Sequence, residues 1–454
     1  MKKKIGYVFL TALLVGVFAA TEAPAIESEF HGQFRINSYF QESSDGDTII
    51  GGSAAEADDA MASRLRFRPT WDVSLDNGVA MHLQLNIGHI NSNLSNARYT
   101  LNGSSSGDPV VSLRHGYISA PIPFYEAFSL TAGLVPLSDK FGDTLFSSDW
   151  DYNPLAFVLN GDVSGIKVRV AHANANEGSE GTSAPEDDID QWMVDADTEV
   201  GLGASYYALN VNSGSSPRLG SGNTSANEHY VGVRYNTEVS SLDLGGWAVY
   251  NWGERDFSAG EMERSNSGFA VKGEVKADVG RFRVGLMGLY ASGDEDFSDS
   301  TKDDSDAFIT PMSIVGHTGY WGYTGKLNVQ GPTDTGIDCQ AINIDGADYC
   351  SGAGLGSGVT TVQANVSTNL IPDRLDGYAA VGWFQNNDVP ASQEDAIGTD
   401  IYAQLKYHFS PNMALEAGID YVLLGEGHPD NLEGGTTTES RDIMLLFSRL
   451  QLEY

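Results

Sequence analysis

The sequence predicts an all-β protein, a single antiparallel up-and-down β-barrel that crosses a membrane. Three observations lead to this prediction: the character of the N-terminus, a series of alternating segments along the chain, and the segment that ends it. Composition alone does not decide between such a barrel and a secreted all-β protein. Hydrophobic residues make up 41% of the chain, and the net charge is −35. The pattern of residues along the chain distinguishes the two.

The N-terminus predicts export from the cytoplasm. Three lysines precede an apolar run, and Ala23-Pro24-Ala25 matches an A-x-A cleavage site. This arrangement is typical of a secretory signal peptide. We therefore expect residues 1–25 to be a signal peptide and residues 26–454 to form the barrel. No later stretch approaches the ~20 consecutive apolar residues that a membrane helix needs.

Beyond the signal peptide the chain reads as strands of roughly ten residues. Successive side chains of a strand point to opposite faces, so a wall between lipid and water alternates apolar and polar residues. From Val79 to Gly88, for example, an apolar residue occupies every second position. The predicted strands lie near residues 30–39, 64–75, 79–88, 111–121, 127–136, 155–161, 164–173, 189–197, 199–211, 228–238, 241–252, 266–277, 281–292, 359–370, 374–386, 398–409, 412–424 and 441–454.

The connections between these strands alternate between short and long. Asp76-Asn77-Gly78 is a strong hairpin signal, and Gly161-Asp162 is expected to be another short turn. If all short turns lie on one side and all long loops on the other, the strand number is even, and eighteen strands are predicted. Sixteen strands are the alternative if residues 189–211 form one long strand.

The last segment, Arg441 to Tyr454, predicts how the barrel closes. Met444 begins a mostly apolar series at every second position, and the series between turns polar toward the tip. A barrel pairs its last strand with its first, which leaves no open sheet edge. Leu445 and Phe447 lie on the inward series and need an apolar partner inside the barrel. Residues 137–153 are the best candidate for that partner.

From residue 25 onward these features resemble the Gram-negative outer-membrane porins. The resemblance rests on the signal peptide, the parity of strands and turns, the aromatic strand ends and the terminal strand, without a sharp sequence motif. Eighteen strands is similar to the sugar-specific porins and the alginate-export barrels. Porins commonly end in Phe, whereas this chain ends in Tyr454. The resemblance implies an outer-membrane location with short periplasmic turns and long extracellular loops.

Basic residues on the predicted inward face suggest a basic pore wall. A charge facing hydrocarbon near mid-bilayer costs about 2–4 kcal/mol on a barrel, so these side chains are expected to face the lumen. The set comprises Arg35, Arg64, Arg66, Arg68, Arg114, Lys167, Arg169, Arg234, Lys272, Lys276, Arg283, Lys406 and Arg449. They either create a field across the pore or pair with neighbouring carboxylates to hold the wall together.

The loop at residues 137–153 mixes carboxylates with large apolar side chains. Its acids are Asp139, Asp143, Asp149 and Asp151, and its apolar residues include Phe141, Phe146 and Trp150. An aromatic-rich loop would be poorly solvated outside, so we expect it to fold into the barrel and narrow the pore. It resembles the third loop of general porins, whose acids face an arginine cluster. Here Arg64, Arg66 and Arg68 would be that cluster.

The longest connection, residues 293–357, is expected to be extracellular. It contains both cysteines, Cys339 and Cys350, which in an oxidising compartment predict one disulfide. Acidic runs at 186–188 and 303–306 could collect Ca²⁺ or Mg²⁺, although a solvated anionic surface is the simpler reading because they lack the EF-hand pattern. No cofactor and no resident metal are otherwise expected.

Catalysis has little support, because the chain has no G-x-S-x-G, H-E-x-x-H or phosphate-loop motif. We expect a passive diffusion porin for small hydrophilic solutes and ions. The alternatives are an export barrel for an anionic polysaccharide and a sheath for another envelope protein such as a cytochrome. Expected partners are outer-membrane lipid, lipopolysaccharide and small hydrophilic solutes, with a homotrimer as a possible assembly. No nucleic-acid partner is expected.

Overall fold

A computed structural model shows a closed barrel of eighteen antiparallel strands, as the sequence predicts. The structure describes residues 26–43, 48–49, 54–55, 59–93, 111–148, 152–176, 189–212, 223–257, 264–295, 303–310, 322–325, 327, 358–389, 394–425 and 442–454. Within these residues no helix is long and apolar enough to span a bilayer.

The barrel strands follow one another in chain order around the wall. They are β1 (Ile26–Ser43), β2 (Asp59–Leu75), β3 (Ala80–Asn93), β4 (Val111–Ile122), β5 (Tyr125–Leu134), β6 (Leu155–Val163), β7 (Ile166–Asn176), β8 (Ile189–Thr198), β9 (Leu202–Asn212), β10 (Asn223–Val239), β11 (Leu242–Phe257), β12 (Arg264–Val279), β13 (Phe282–Ala291), β14 (Val359–Ile371), β15 (Leu375–Asn386), β16 (Ala396–Ser410), β17 (Met413–Leu424) and β18 (Asp442–Glu453). Two-residue strands Thr48–Ile49 and Ala54–Ala55 pair with each other, and Asp304–Ser305 runs parallel to β12.

Closure occurs where the sequence predicts it, between β1 and β18. Gln33 pairs with Glu453 at one end of this ladder and Ser43 with Ile443 at the other. Backbone hydrogen bonds from Gly32 N to Tyr454 O (2.9 Å) and from Tyr454 N to Gly32 O (3.1 Å) extend it to the last residue. Both ends of the barrel chain and all the short turns therefore lie at one end of the barrel, which we call the termini end. The opposite end is the loop end.

Residues 189–211 form two strands, so the sixteen-strand alternative is wrong. The chain reverses at Gly201, whose φ is +84°. Gly201 N donates to Thr198 O (3.1 Å), and its carbonyl accepts from Asn236 N (3.0 Å). A β carbon at Gly201 would collide with the carbonyl oxygen of Asn236. Glycine is therefore the residue that allows so tight a connection.

The turn between β6 and β7 lies later than predicted. Ser164 and Gly165 form it, with φ of +55° and +83°. Two successive positive φ values make the two-residue hairpin turn whose twist matches the flanking strands. The predicted turn residues Gly161 and Asp162 are in β6, and Asp162 Oδ1 accepts a hydrogen bond from Gly165 N (2.9 Å).

The two faces of the wall differ in polarity. In β10 the outward Val231, Val233 and Tyr235 are 44%, 54% and 49% exposed, while the inward Tyr230 and Arg234 are 1% and 6% exposed. The outward series is apolar around the barrel and forms the surface that hydrocarbon requires. The inward series is apolar toward the loop end, where it joins loop residues in one buried cluster, and polar toward the termini end.

Candidate functional site

The loop at 137–148 is organised around Asp139. Asp139 Oδ1 accepts from the backbone N of Phe141 (2.6 Å), and Oδ2 accepts from the backbone N of Leu145 (2.5 Å) and Phe146 (3.0 Å). Asp139 is 5% exposed. Burial, aided by the nearby charge of Asp143, raises the pKa of this carboxyl to about 7, although the backbone donors lower it. Asp139 thus holds the loop together from within, a role that the sequence analysis did not foresee.

The aromatic side chains of the loop pack on inward-facing residues of β9 and β11. The Phe141 ring is 5.9 Å from the ring of Tyr207 and 6.1 Å from that of Trp247, both edge-on. Phe146 contacts the same Tyr207 at 5.4 Å. Tyr207 is the central residue of β9, so the loop reaches half-way along the barrel wall. Phe141 and Phe146 are 1% and 0% exposed.

Polar contacts attach the loop to the wall on both sides of these rings. Arg169 Nη2 donates to Ser138 O (2.9 Å), and Lys140 N donates to Tyr207 Oη (3.0 Å). Arg114 Nη2 donates to Ser148 O (2.6 Å). Two of the predicted pore-lining arginines therefore bind the loop backbone, and the loop lies along the wall from β4 to β11.

A buried carboxylate, Asp195 of β8, connects the loop anchors. It accepts from Arg169 Nε (2.6 Å) and, on its other oxygen, from Ser205 Oγ (2.5 Å) and Tyr207 Oη (2.7 Å). Asp195 is 1% exposed. A buried charge is tolerated only when it is paired and hydrogen-bonded, as it is here. This acid was missed in the sequence because its role depends on which strands neighbour β8.

Arginines of β1 and β2 form a row at mid-barrel height. The strand register places Arg35 beside Arg66, and Arg64 lies one inward position further along β2, opposite Asn37. Arg66 Nη2 donates to Gln33 Oε1 (2.9 Å), and Arg35 Nε donates to Gln451 Oε1 (3.1 Å). The next inward residue of β2, Arg68, donates from Nε to Asn86 Oδ1 (3.1 Å). In each of these three hydrogen bonds the acceptor is a neutral side-chain amide.

Most of the other predicted cations pair with carboxylates on the same strand or on strands one or two places away. Lys406 lies 3.1 Å from Glu416, which also binds Arg449. The remaining ion pairs are Arg169 with Asp195, Arg234 with Asp197, Lys276 with Glu274, and Arg283 with Asp243 and Asp278. For these side chains the pairing alternative describes the structure, because side chains that share the inward face lie within reach of one another.

Lys167 and Lys272 complete the predicted basic wall. Lys167 lies in register with Asp162 and Asp197 near the termini end. Lys272 lies in register with Trp247, one of the rings that receive Phe141. Both are thus on the inward face, as the alternation predicts.

Two stretches of the longest loop also pack against the wall, a feature that the sequence analysis missed. In the first, Phe308 N donates to Ser292 O (2.9 Å), and Phe308 is fully buried. In the second, Tyr323 Oη donates to Glu274 Oε2 (2.6 Å), and Leu327 N donates to Asp400 Oδ2 (2.8 Å). No periodic pattern marks these stretches, so nothing in the sequence separates them from an external loop.

The closing strand receives a different partner from the expected one. Phe447 stacks on Tyr402 of β16, with 5.6 Å between ring centroids. Gly325 of the longest loop lies against the same ring, since a β carbon there would be 2.9 Å from Tyr402 Cδ2. The described part of loop 137–153 packs on β9 and β11 instead. The inward position of Leu445, which is 0% exposed, is as predicted.

Several predicted residues lie outside the part that the structure describes. They are Asp149 and Asp151 of the loop, Cys339 and Cys350, and the acidic run 186–188. Asp143 is described and has a φ of +57° next to Gly142. Among the described side chains, no group of three or more His, Cys, Asp or Glu is placed to hold a metal ion.

No protein-family model matches the chain, and no curated protein matches it significantly. Solved structures do share its fold. OccAB1 of Acinetobacter baumannii is 12% identical with a TM-score of 0.54, over 94% of this chain and 96% of that one. OccAB4 of the same organism is 11% identical with a TM-score of 0.52, over 94% and 98%. The outer membrane protein opdK from Pseudomonas aeruginosa is 11% identical with a TM-score of 0.51, over 94% and 99%.

At these identities the likeness is one of fold. The fold is that of Gram-negative outer-membrane porin barrels, as the sequence predicts. The apolar outward face of this chain is the surface that such a barrel presents to lipid.

Proposed function

We propose that this barrel is an outer-membrane porin through which small hydrophilic solutes and ions diffuse passively. The observation that carries the proposal is the polar, accessible inner wall at the termini end. The side chains of His31 and Asp72 are 41% and 40% exposed there, and those of Arg283 and Lys406 are 44% and 38% exposed. Charged groups at such exposure inside a membrane barrel need water around them, so this part of the lumen is water-filled.

Selectivity would arise at mid-height, where the docked loop meets the wall. The loop reduces the cross-section by filling the space in front of β7 to β11, since its Phe141 and Phe146 are fully packed there. The arginine row lies on β1 and β2. Because Arg66 and Arg68 are only 9% and 8% exposed, they act on a passing ion through their field more than by contact.

The same packing favours a porin over a sheath for a threaded protein. Three segments of this chain cover inward faces of the wall from β4 to β17, namely residues 137–148, residues 303–310, and residues 322–325 with 327. A second protein threaded through the lumen would have to displace their buried aromatic side chains. A porin needs no such rearrangement, and diffusion needs no catalytic residue.

Planar-bilayer recording tests this function. Purified protein should give stable open steps that scale with the conductivity of the salt solution. The double variant Asp143→Asn/Asp149→Asn should shift the reversal potential in a salt gradient in the direction that indicates greater anion permeability. One charge at about 10 Å in water is worth about 0.4 kcal/mol, so each substitution should change the permeability ratio about twofold.

The reciprocal change, Arg35→Gln, should shift the reversal potential by a similar amount in the direction that indicates greater cation permeability. The matched control is Arg374→Gln, which removes the same charge from an exposed turn at the termini end. A folded protein that gives no conductance would overturn the porin proposal. An unchanged reversal potential in all the loop and wall variants would overturn the assigned selectivity.

A further inference from the structure

Two histidines lie side by side on the inner wall of β3 and β4, toward the termini end. His115 of β4 lies in register with Gln84, which is the next inward residue after His82 on β3. The two imidazoles are therefore diagonal neighbours on one face. Their ring centroids are 5.6 Å apart, and their planes are tilted by 37°. We call His82 and His115 the histidine pair.

A hydrogen bond from one nitrogen orients each ring of the histidine pair. His82 Nδ1 donates to Asp72 Oδ1 (2.6 Å), because an ionised carboxylate can only accept. His115 Nε2 donates to Asn153 Oδ1 (2.9 Å). In the neutral rings the lone pairs are then on His82 Nε2 and His115 Nδ1. Metal-ligating histidines are usually held in this way, with the other ring nitrogen bound to a carboxylate or carbonyl oxygen.

The nitrogen Nε2 of His82 is buried and has no hydrogen-bond partner among the residues that the structure describes. A buried polar atom without a partner costs about 1–3 kcal/mol, so a ligand at this nitrogen would be stabilising. Two imidazoles that share one metal ion, each at about 2.0–2.1 Å, have ring centroids about 5–6 Å apart. The observed spacing of the histidine pair therefore admits a shared ion.

The charges around the histidine pair favour some metals over others. A register shift in β4 puts Arg114 on the same face as His115, and Arg114 and Arg68 both interact electrostatically with that ring. Asp72, which also binds His31 Nε2 (2.7 Å), provides negative charge on the other side. Nearby guanidinium groups disfavour Ca²⁺ and Mg²⁺, which require oxygen ligands. Imidazole nitrogens instead suit Cu²⁺, Ni²⁺ and Zn²⁺.

We propose that the histidine pair binds one divalent transition-metal ion and that Cu²⁺ binds most tightly. His82 Nε2 and His115 Nδ1 are its protein ligands. Water completes the coordination, because no group of three or more His, Cys, Asp or Glu is placed to hold a metal in the described part of the chain. Affinity for nitrogen ligands rises to Cu²⁺ and falls again at Zn²⁺. Water reaches this part of the wall, since the side chains of Asp72 and His82 are 40% and 18% exposed.

Copper titration of the folded barrel in detergent tests the proposal without any measurement of conduction. Protein without a polyhistidine tag should bind one Cu²⁺ per chain at neutral pH, with an electron paramagnetic resonance spectrum that shows two imidazole nitrogens. His82→Gln and His115→Gln should each weaken Cu²⁺ binding at least about tenfold and leave one imidazole nitrogen in the spectrum. Asp72→Asn, which changes only the group that orients His82, should weaken binding about tenfold and keep both nitrogens.

The matched control is His408→Gln. His408 also points inward at the termini end and contacts a carboxylate, Asp376 (2.9 Å), whereas the histidine pair is where two imidazole rings contact each other in the described residues. This variant should bind Cu²⁺ as the wild type does. Heat-modifiable mobility shows which variants fold; if His115→Gln does not, His82→Gln, at a partly exposed side chain, decides alone.

Three results would overturn the site. They are a spectrum without two imidazole nitrogens, Cu²⁺ binding that His82→Gln leaves unchanged, and a loss in His408→Gln as large as that in His82→Gln. Binding of Ca²⁺ as tight as that of Cu²⁺ would also contradict the assignment to nitrogen ligands. A barrel that binds Cu²⁺ at the histidine pair and gives no conductance would support the site and overturn the porin function, so the two proposals fail separately.

Discussion

The docking of Phe141 allows a quantitative test of how loop 137–153 shapes the lumen. The ring is 1% exposed and contacts Tyr207 and Trp247 edge-on, and Arg234 Cζ lies 5.9 Å from its centroid. A β carbon on Gly232 would be 2.6 Å from Phe141 Cζ, so the ring lies directly on the wall backbone. Few side chains of the loop have so many partners on the barrel.

Phe141→Ala should therefore release the loop without unfolding the barrel. Truncation of a buried Phe costs about 3–5 kcal/mol. If that cost falls on docking, the ratio of docked to released loop drops about 10²- to 10⁴-fold. Single-channel recording should show a larger conductance and more open-channel noise than in the wild type. Heat-modifiable electrophoretic mobility, which reports a folded barrel, should persist.

The control for this variant is Phe269→Ala. Phe269 is 46% exposed on the outward face, where it stacks on Tyr290 at 5.6 Å. The same truncation there should leave conductance and noise unchanged. If Phe141→Ala folds and conducts as the wild type does, the loop does not limit the pore. Should that variant fail to fold, the milder Phe141→Leu gives the same comparison.

Two further outcomes follow from the loop anchors. Burial raises the pKa of Asp139 from 3.8 to about 7, so the docked loop holds a proton that the released loop gives up above about pH 4. Docking of the loop is then favoured at low pH and weakens as the pH rises through 7. The open-channel current noise should therefore increase from pH 5 to pH 8. The substitution Asp139→Asn should abolish this pH dependence. If Asp139→Asn keeps the wild-type pH profile, another group titrates. Asp195→Asn leaves Arg169 without its buried partner and should lower the unfolding free energy by about 3–5 kcal/mol, seen as a lower temperature of mobility loss. Asp190→Asn, which changes a partly exposed acid, should have little effect, and equal loss in both variants would contradict the role of Asp195.

The alternation along the chain determined the wall. Each strand must present an apolar face to lipid and a polar one to the lumen. A period of two residues therefore indicates where each strand lies in the sequence and which of its side chains point inward. The short and long connections then set the strand number, and the last strand predicted closure against β1. The predicted strands 189–197 and 199–211 left room only for a very tight connection, and the structure places that turn at Gly201, whose φ of +84° other amino acids rarely adopt.

The sequence also identified which cations face inward, but only the strand register decided what they do. Glu416 binds both Lys406 and Arg449 because β17 lies between β16 and β18 at one register. Arg169 binds Asp195 for the same reason. A one-residue slip would separate every such pair, and no local signal in the sequence records the register. The partner that each cation binds is therefore a property of the tertiary structure.

The interior of the barrel likewise depended on long-range contacts. The aromatic residues of loop 137–153 are evident in the sequence, so they could be assigned to the inside of the barrel. The hydrogen bonds that Asp139 accepts within the loop could not be predicted from the positions of the acids alone. The sequence around residue 325 has no periodicity. Tyr323, Gly325 and Leu327 lie inside the barrel because Glu274, Asp400 and Tyr402, which are distant in sequence, form a surface that fits them. A repeating pattern encodes the wall of this barrel, whereas the fit between distant residues encodes what fills it.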